Sequence, residues 1–217
     1  MTGLHLRVAI DGLSPLIVRT LVVPSKLSLA DLNRVLLECF GWSGECLHVF
    51  DVRARSYSDC SMVDWAETSI NVTLESLSLR RGERFSWCYD FIAGWRVTCL
   101  VEALGVDDAD EVVCVDGRRA GPLGWIRGPA GFYRWEDSFS ILDMVEALGD
   151  FINIDDRPSD DGHQEEDDDR ADREVEALHR LRVVSRWMVR DGFDKAVLNG
   201  RLSMLEVPSC VSLFRSG

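Results

Sequence analysis

The chain has 217 residues, 46% of them hydrophobic and 28% charged, which is the composition of an ordinary globular protein. Thirty-seven Asp and Glu against 24 Lys and Arg leave a formal charge of −13, which disfavours a general electrostatic grip on duplex nucleic acid or anionic lipid. No stretch reaches the roughly 18 apolar residues of a membrane span, and the residues after Met1 lack the basic and apolar regions of a signal peptide, so a cytoplasmic protein without a membrane partner is expected.

In chain order, residues 4–10 alternate apolar and polar and read as a strand, and 17–23 read as a second strand that pairs with it. Ser28 opens a helix whose Leu29, Leu32, Val35, Leu36 and Phe40 share one face, and Gly41 ends it. Strand patterns follow at 47–52, 71–74, 84–89, 95–102 and 112–115. A further helix is expected over 138–148, capped by Ser138 and stopped by Gly149. Strands grouped ahead of helices, without a βαβ rhythm, predict an α+β fold with a mostly antiparallel or mixed sheet packed by helices.

Between Asp155 and Asp169 there are nine carboxylates and one base, so this stretch alone carries −8 of the −13. Its composition cannot bury enough apolar surface to offset the entropy of ordering, which predicts an acidic disordered linker over 153–170. The linker divides an α+β body, 1–152, from a C-terminal helical segment, 171–217. That segment reads as one helix over 171–190, a break at Asp191 and Gly192, and a shorter helix near 194–205. Docking of these helices on the body is expected, because neither can cover its own apolar stripe.

Chemistry-bearing patterns are few. The seven cysteines, Cys39, Cys46, Cys60, Cys88, Cys99, Cys114 and Cys210, are scattered and contain no C-x-x-C pair, which points to reduced thiols rather than disulfides. The C-x6-C-x-H spacing of Cys39, Cys46 and His48 matches no zinc module, and no phosphate-loop or dinucleotide fingerprint occurs, so neither metal nor cofactor is expected. Asp90, at a strand end beside Phe91 and Trp95, reads either as a general base or ligand anchor, or as the cap of a hairpin turn whose aromatics fill the core. His48 lies in a strand pattern, either facing a cleft or serving as a hydrogen-bonded structural histidine. The stretch 116–135 joins Gly and Pro with four arginines and four aromatics. Within it Arg118, Arg119, Trp125, Arg127, Tyr133, Arg134 and Trp135, together with Trp95, form a candidate binding set for a protein hot spot or single-stranded nucleic acid. The alternative is a Gly/Pro-rich connection packed onto the sheet.

The ordered set Leu4-x-Leu-x-Val-x-Ile, Pro15-Leu16-Ile17-Val18-Arg19, Val23-Pro24, Leu29-Ala30-Asp31-Leu32, Phe40-Gly41-Trp42 and Leu47-His48-x-Phe50 resembles the plasmid pRiA4b ORF-3-like family. Tyr89-Asp90-Phe91, Gly94-Trp95, Cys114-Val115-Asp116-Gly117 and Gly192-Phe193-Asp194 extend the resemblance. It implies a setting on plasmids and insertion elements, where some members carry passenger or TnpR-type labels, and it implies no particular activity. The chain departs from the family pattern at Ile92 and Ala93, at Val97, and over 121–128, where an acidic, thiol-bearing segment is replaced by an apolar and basic one.

Three functions follow as expectations. The first is a non-catalytic binding or regulatory protein acting through protein contacts. The second is a nucleic-acid-handling accessory of transposition or plasmid maintenance, disfavoured by net charge. The third is an enzyme with a cleft around Asp90 and His48.

Overall fold

A computed structural model describes residues 2–107, 109–152 and 167–205, with side chains over 167–173 described only at Asp172. The elements run β1 (Gly3–Ile10), β2 (Val18–Pro24), α1 (Leu29–Phe40), β3 (His48–Val52), β4 (Arg55–Ser58), β5 (Glu67–Thr68), β6 (Arg84–Tyr89), β7 (Trp95–Val106), β8 (Val113–Arg118), α2 (Gly128–Asp137), α3 (Ile141–Ile152), α4 (Asp167–Met188) and α5 (Lys195–Leu202). The fold is α+β, with all eight strands in one sheet of order β5-β4-β3-β6-β7-β1-β2-β8. Every neighbouring pair is antiparallel except β4 with β5.

Alternation along the strands sorts side chains between two faces. Leu6, Val8, Leu21, Val97, Phe50, Phe85 and Trp87 lie on the covered face and are buried. Arg7, Thr20, Ser86, Thr98 and Leu100 lie on the other and are only half-buried. α1 lies on the covered face: its Asn33 Oδ1 accepts a hydrogen bond from Trp87 Nε1 at 3.1 Å. Ser28 caps the helix by accepting from the Asp31 amide, and Gly41 ends it in the left-handed region at φ 73°. The last turn of α1 contains no basic residue, and arginines from elsewhere serve its carbonyls. Buried Arg19 donates to Cys39 O at 3.1 Å, and Arg201 donates to Glu38 O at 3.1 Å.

The outer edge of the sheet at β8 is closed by a side chain. Cys114 N donates to Asn199 Oδ1 at 2.8 Å and Asn199 Nδ2 donates to Cys114 O at 3.0 Å, so one asparagine of α5 makes the two bonds a neighbouring strand would make. Phe193 packs on Gly117, where any Cβ would collide with the ring, and the Arg19 guanidinium stands 4.1 Å from that ring's centre.

The described residues divide into two compact units, one of those up to Phe132 together with those from Gly192 onward, the other of those between Tyr133 and Asp191. In the second unit α3 and α4 pack together with Ala147, Ala177 and Val184 buried, and Arg180 bridges Glu146 and Asp150.

Several local expectations are corrected. Residues 71–74 form no strand, and only Thr73 makes an isolated bridge, to Ser28. The short β4 and β5 carried too few alternating residues to register as strands. Within 116–135, Gly128 and Pro129 open a helix instead of continuing a loop, because a proline in the first turn gives up an amide that has no helical partner there. α3 starts at Ile141, with Ser140 and Asp143 exchanging the capping hydrogen bonds, and runs through Gly149 to Ile152. α4 begins at Asp167, four residues earlier than the periodicity indicates, and ends at Met188. The expected linker lies outside the described residues as far as residue 166, as do residues 206–217 with Cys210.

Candidate functional site

The stretch 116–128 is fastened to the covered face by tryptophans. Trp42 Nε1 donates to Pro122 O at 3.1 Å, and Trp95 Nε1 donates to Ile126 O at 3.2 Å. Both rings belong to a buried stack: Trp42 lies 5.0 Å from Tyr89 at an interplanar angle of 8°, 5.8 Å from Trp87 and 5.6 Å from Trp95. Two glycines allow the approach. A Cβ at Gly121 would strike the carbonyl of Phe40, and one at Gly128 the carbonyl of Ala93. The β6–β7 turn and the β8–α2 connection therefore lie against each other at one end of the sheet.

The candidate residues divide by burial. Trp95, Arg119 and Trp135 are buried, whereas Arg118, Trp125, Arg127 and Arg134 are exposed and Tyr133 is half-buried. Tyr133, Arg134 and Trp135 belong to the second unit and the others to the first. Arg119 adopts φ 62°, donates to Pro15 O at 3.1 Å and stands 5.6 Å from the centre of the Phe132 ring, so its charge is held inside the loop. Trp125 stays 58% exposed between two anchored neighbours. On the abutting turn Phe91 is 44% and Ile92 83% exposed, so Phe91 does not fill the core beside Trp95.

Asp90 and His48 are engaged separately. Asp90, at φ 52°, accepts from the amides of Ile92 and Ala93, both at 3.1 Å, through the same Oδ1. This is the side-chain capping that makes Asp tolerable at positive φ. His48 is buried on the covered face, with Nε2 3.2 Å from Asp59 Oδ1 but off the line of a hydrogen bond. Burial lowers its pKa, and the Asp59 carboxylate only partly opposes that. Among the described residues no three His, Cys, Asp or Glu side chains come together as a metal site. Burial raises the thiols of Cys39 and Cys99 far above the ordinary range. No described helix is long and apolar enough to cross a membrane.

A groove of about 360 Å³ opens on the half-exposed face over β1, β2 and β8. Arg7, Thr20, Asp116 and Arg118 supply its polar lining, and Pro15, Leu16 and Val18 its apolar part. A β-bulge makes it. Thr20 pairs with Asp116 but Leu21 pairs with Cys114, which leaves Val115 as an extra residue. Cys114 therefore faces the covered side while Asp116 and Arg118 face the groove. Arg7 was not singled out in the sequence, because alternation marks it only as the polar half of a strand.

The order of strands and the anchored aromatic segment can be set against known proteins. The profile of the plasmid pRiA4b ORF-3-like protein family matches residues 2–145. The chain belongs to that family. This ORF-3-like chain is 29% identical over 102 residues to an uncharacterised protein, y4hQ, of Sinorhizobium fredii (strain NBRC 101917 / NGR234), a match covering 45% of the chain. The matched stretch spans 52% of that relative's length. The ORF-3-like fold also resembles the crystal structure of a protein of unknown function, MM3350, from Methanosarcina mazei Go1. The TM-score is 0.56 at 21% identity, over 78% of this chain and 88% of the other.

Proposed function

We propose that this ORF-3-like protein is a non-catalytic binding or regulatory protein of the cytoplasm, acting through protein–protein contacts at the rim formed by the β6–β7 turn and the 121–128 segment. The observation that carries the reading is Trp125. It is an exposed tryptophan between backbone carbonyls held by two buried indoles, with Phe91, Ile92 and Arg127 also exposed on the two abutting segments. A large aromatic on a rigid segment gives contact area with little ordering cost, and tryptophan and arginine are the residues in which binding energy concentrates. Asp90 is occupied in its turn and His48 is buried, which supports binding over catalysis.

The test places a photo-crosslinker at position 125 and, as a control, at exposed Trp65 outside the rim. The expected result in lysate of the native host is one protein captured from 125 and not from 65. The purified captured protein then binds the wild type and loses at least about tenfold in affinity to Trp125→Ala or Ile92→Glu. Equal capture from both positions, or unchanged affinity in both variants, overturns the reading. Binding of short single-stranded DNA that weakens with salt and with Arg127→Gln would replace the protein partner by nucleic acid.

A further inference from the structure

The groove over β1, β2 and β8 goes beyond the rim and its partner, and its lining has a chemical order. Arg7, Thr20 and Asp116 stand opposite one another across the three strands, and Val18 and Arg118 form the next row toward Pro15 and Leu16. With strands roughly 4.8 Å apart, Arg7 and Arg118 lie about 10 Å apart across the sheet and about 7 Å apart along it, within reach of two long side chains converging above Val18. Neither guanidinium has a hydrogen bond or an ion pair among the described residues. Arg19 and Arg119, which flank them in the sequence and the sheet, both donate to backbone carbonyls. Asp116 sets the opposite sign in the same polar row. Two unpaired cations and one carboxylate leave the exposed lining one positive charge in excess, and the remaining wall is apolar. Arg119, whose guanidinium donates to Pro15 O, closes the apolar end, and Gly117 rests on Phe193 beneath.

We infer that this groove binds a monoanionic carboxylate carried on a short apolar stem, the carboxylate held between Arg7 and Arg118 and the stem lying over Val18, Leu16 and Pro15. Arginine forks match a carboxylate in two-point geometry. Asp116 makes the same site unfavourable for a dianion such as phosphate. The volume of about 360 Å³ is at the small end of ligand pockets, which suits a group of this size.

The test is an amide-shift titration of the ¹⁵N-labelled full chain with sodium butyrate against sodium chloride at equal ionic strength. Saturable shifts are expected at Thr20, Gly117 and Arg118, with half-saturation on the order of 1 mM. In Arg7→Gln and in Arg118→Gln, whose remaining spectrum should be unaltered, half-saturation rises about tenfold or more. Butanol produces none of these shifts, phosphate binds more weakly than butyrate, and Asp116→Asn strengthens phosphate. An acetylated tripeptide ending in leucine, compared with its C-terminal amide, distinguishes a peptide terminus from a free acid as the source of the carboxylate. The inference is overturned by the absence of saturable shifts below about 50 mM butyrate, by equal half-saturation in both arginine variants, or by phosphate binding as well as butyrate does.

Discussion

The two faces of the sheet are built from alternate residues of the same strands, yet they follow opposite rules. On the covered face, apart from His48 Nε2, the large polar groups of the central strands and of α1's flank are tied down. The Trp87, Trp42 and Trp95 indoles each donate to a fixed oxygen, and Arg19 donates to three carbonyls. On the half-exposed face Arg7 and Arg118 lack such partners among the described residues, and only short side-chain pairs form, such as Thr98 with Asp11 and Arg96 with Ser86. The difference follows from solvent. A buried donor without an acceptor loses the full hydrogen bond it had with water, whereas a half-exposed one keeps water as its partner and stays available for a ligand. The covered face therefore carries stability, and the other can carry binding.

Substitutions can break this contrast, and the largest effect belongs to the covered face. Trp95→Ala removes a fully buried ring and leaves the Ile126 carbonyl without its donor. It should destabilise by about 3–5 kcal/mol, measured as a fall in the urea midpoint at unchanged slope. Gly121→Ala forces a methyl into the Phe40 carbonyl and should cost about 1–3 kcal/mol, with lost protection of nearby amides as the accompanying sign. Asp90→Ala gives up two backbone hydrogen bonds at a positive φ, for about 1–2 kcal/mol, whereas Asp90→Asn keeps an acceptor and tolerates that conformation at less than about half the cost.

His48 sharpens the contrast through pH. Its folded pKa lies below the unfolded value because burial outweighs Asp59. Between those two values the unfolded chain binds more protons, so stability from this group is complete above the unfolded pKa and falls as pH drops through it. The urea midpoint should decline from neutral toward mildly acid pH. His48→Gln should flatten that decline, and Asp59→Asn should steepen it by removing the one opposing charge. The smallest effect is expected on the half-exposed face, where Arg118→Gln should change stability by less than about 0.5 kcal/mol while weakening the butyrate response. A large loss of stability there would erase the distinction between the faces.

Much of this arrangement was legible in the chain. Alternation at β1, β2, β6 and β7 identifies the core strands, Ser28 and Gly41 bracket α1, and the ordered set from Leu4 to Trp95 identifies the family. Short or exceptional elements were not legible. β5 has two residues and no pattern to detect, Gly128-Pro129 signals a loop and a helix start equally well, and an arginine such as Arg19 on an apolar strand gives no sign of the carbonyls it will meet. Among the candidate binding residues, residue type selected arginines and aromatics but could not rank them by exposure. Exposure separates Trp125 from Trp95 and Arg118 from Arg119.

The sequence by itself determined the fold class, the family and the concentration of negative charge between Asp155 and Asp169, because periodicity, motif order and charge are properties of neighbours along the chain. Only the tertiary structure decided which side chains share a surface. One extra residue at Val115 reverses the side to which Asp116 and Arg118 point, and a strand brought in from the N-terminus places Arg7 across from them. The reason is geometric: alternation fixes the face of each residue relative to the next, and a bulge shifts that parity with no mark in composition or period.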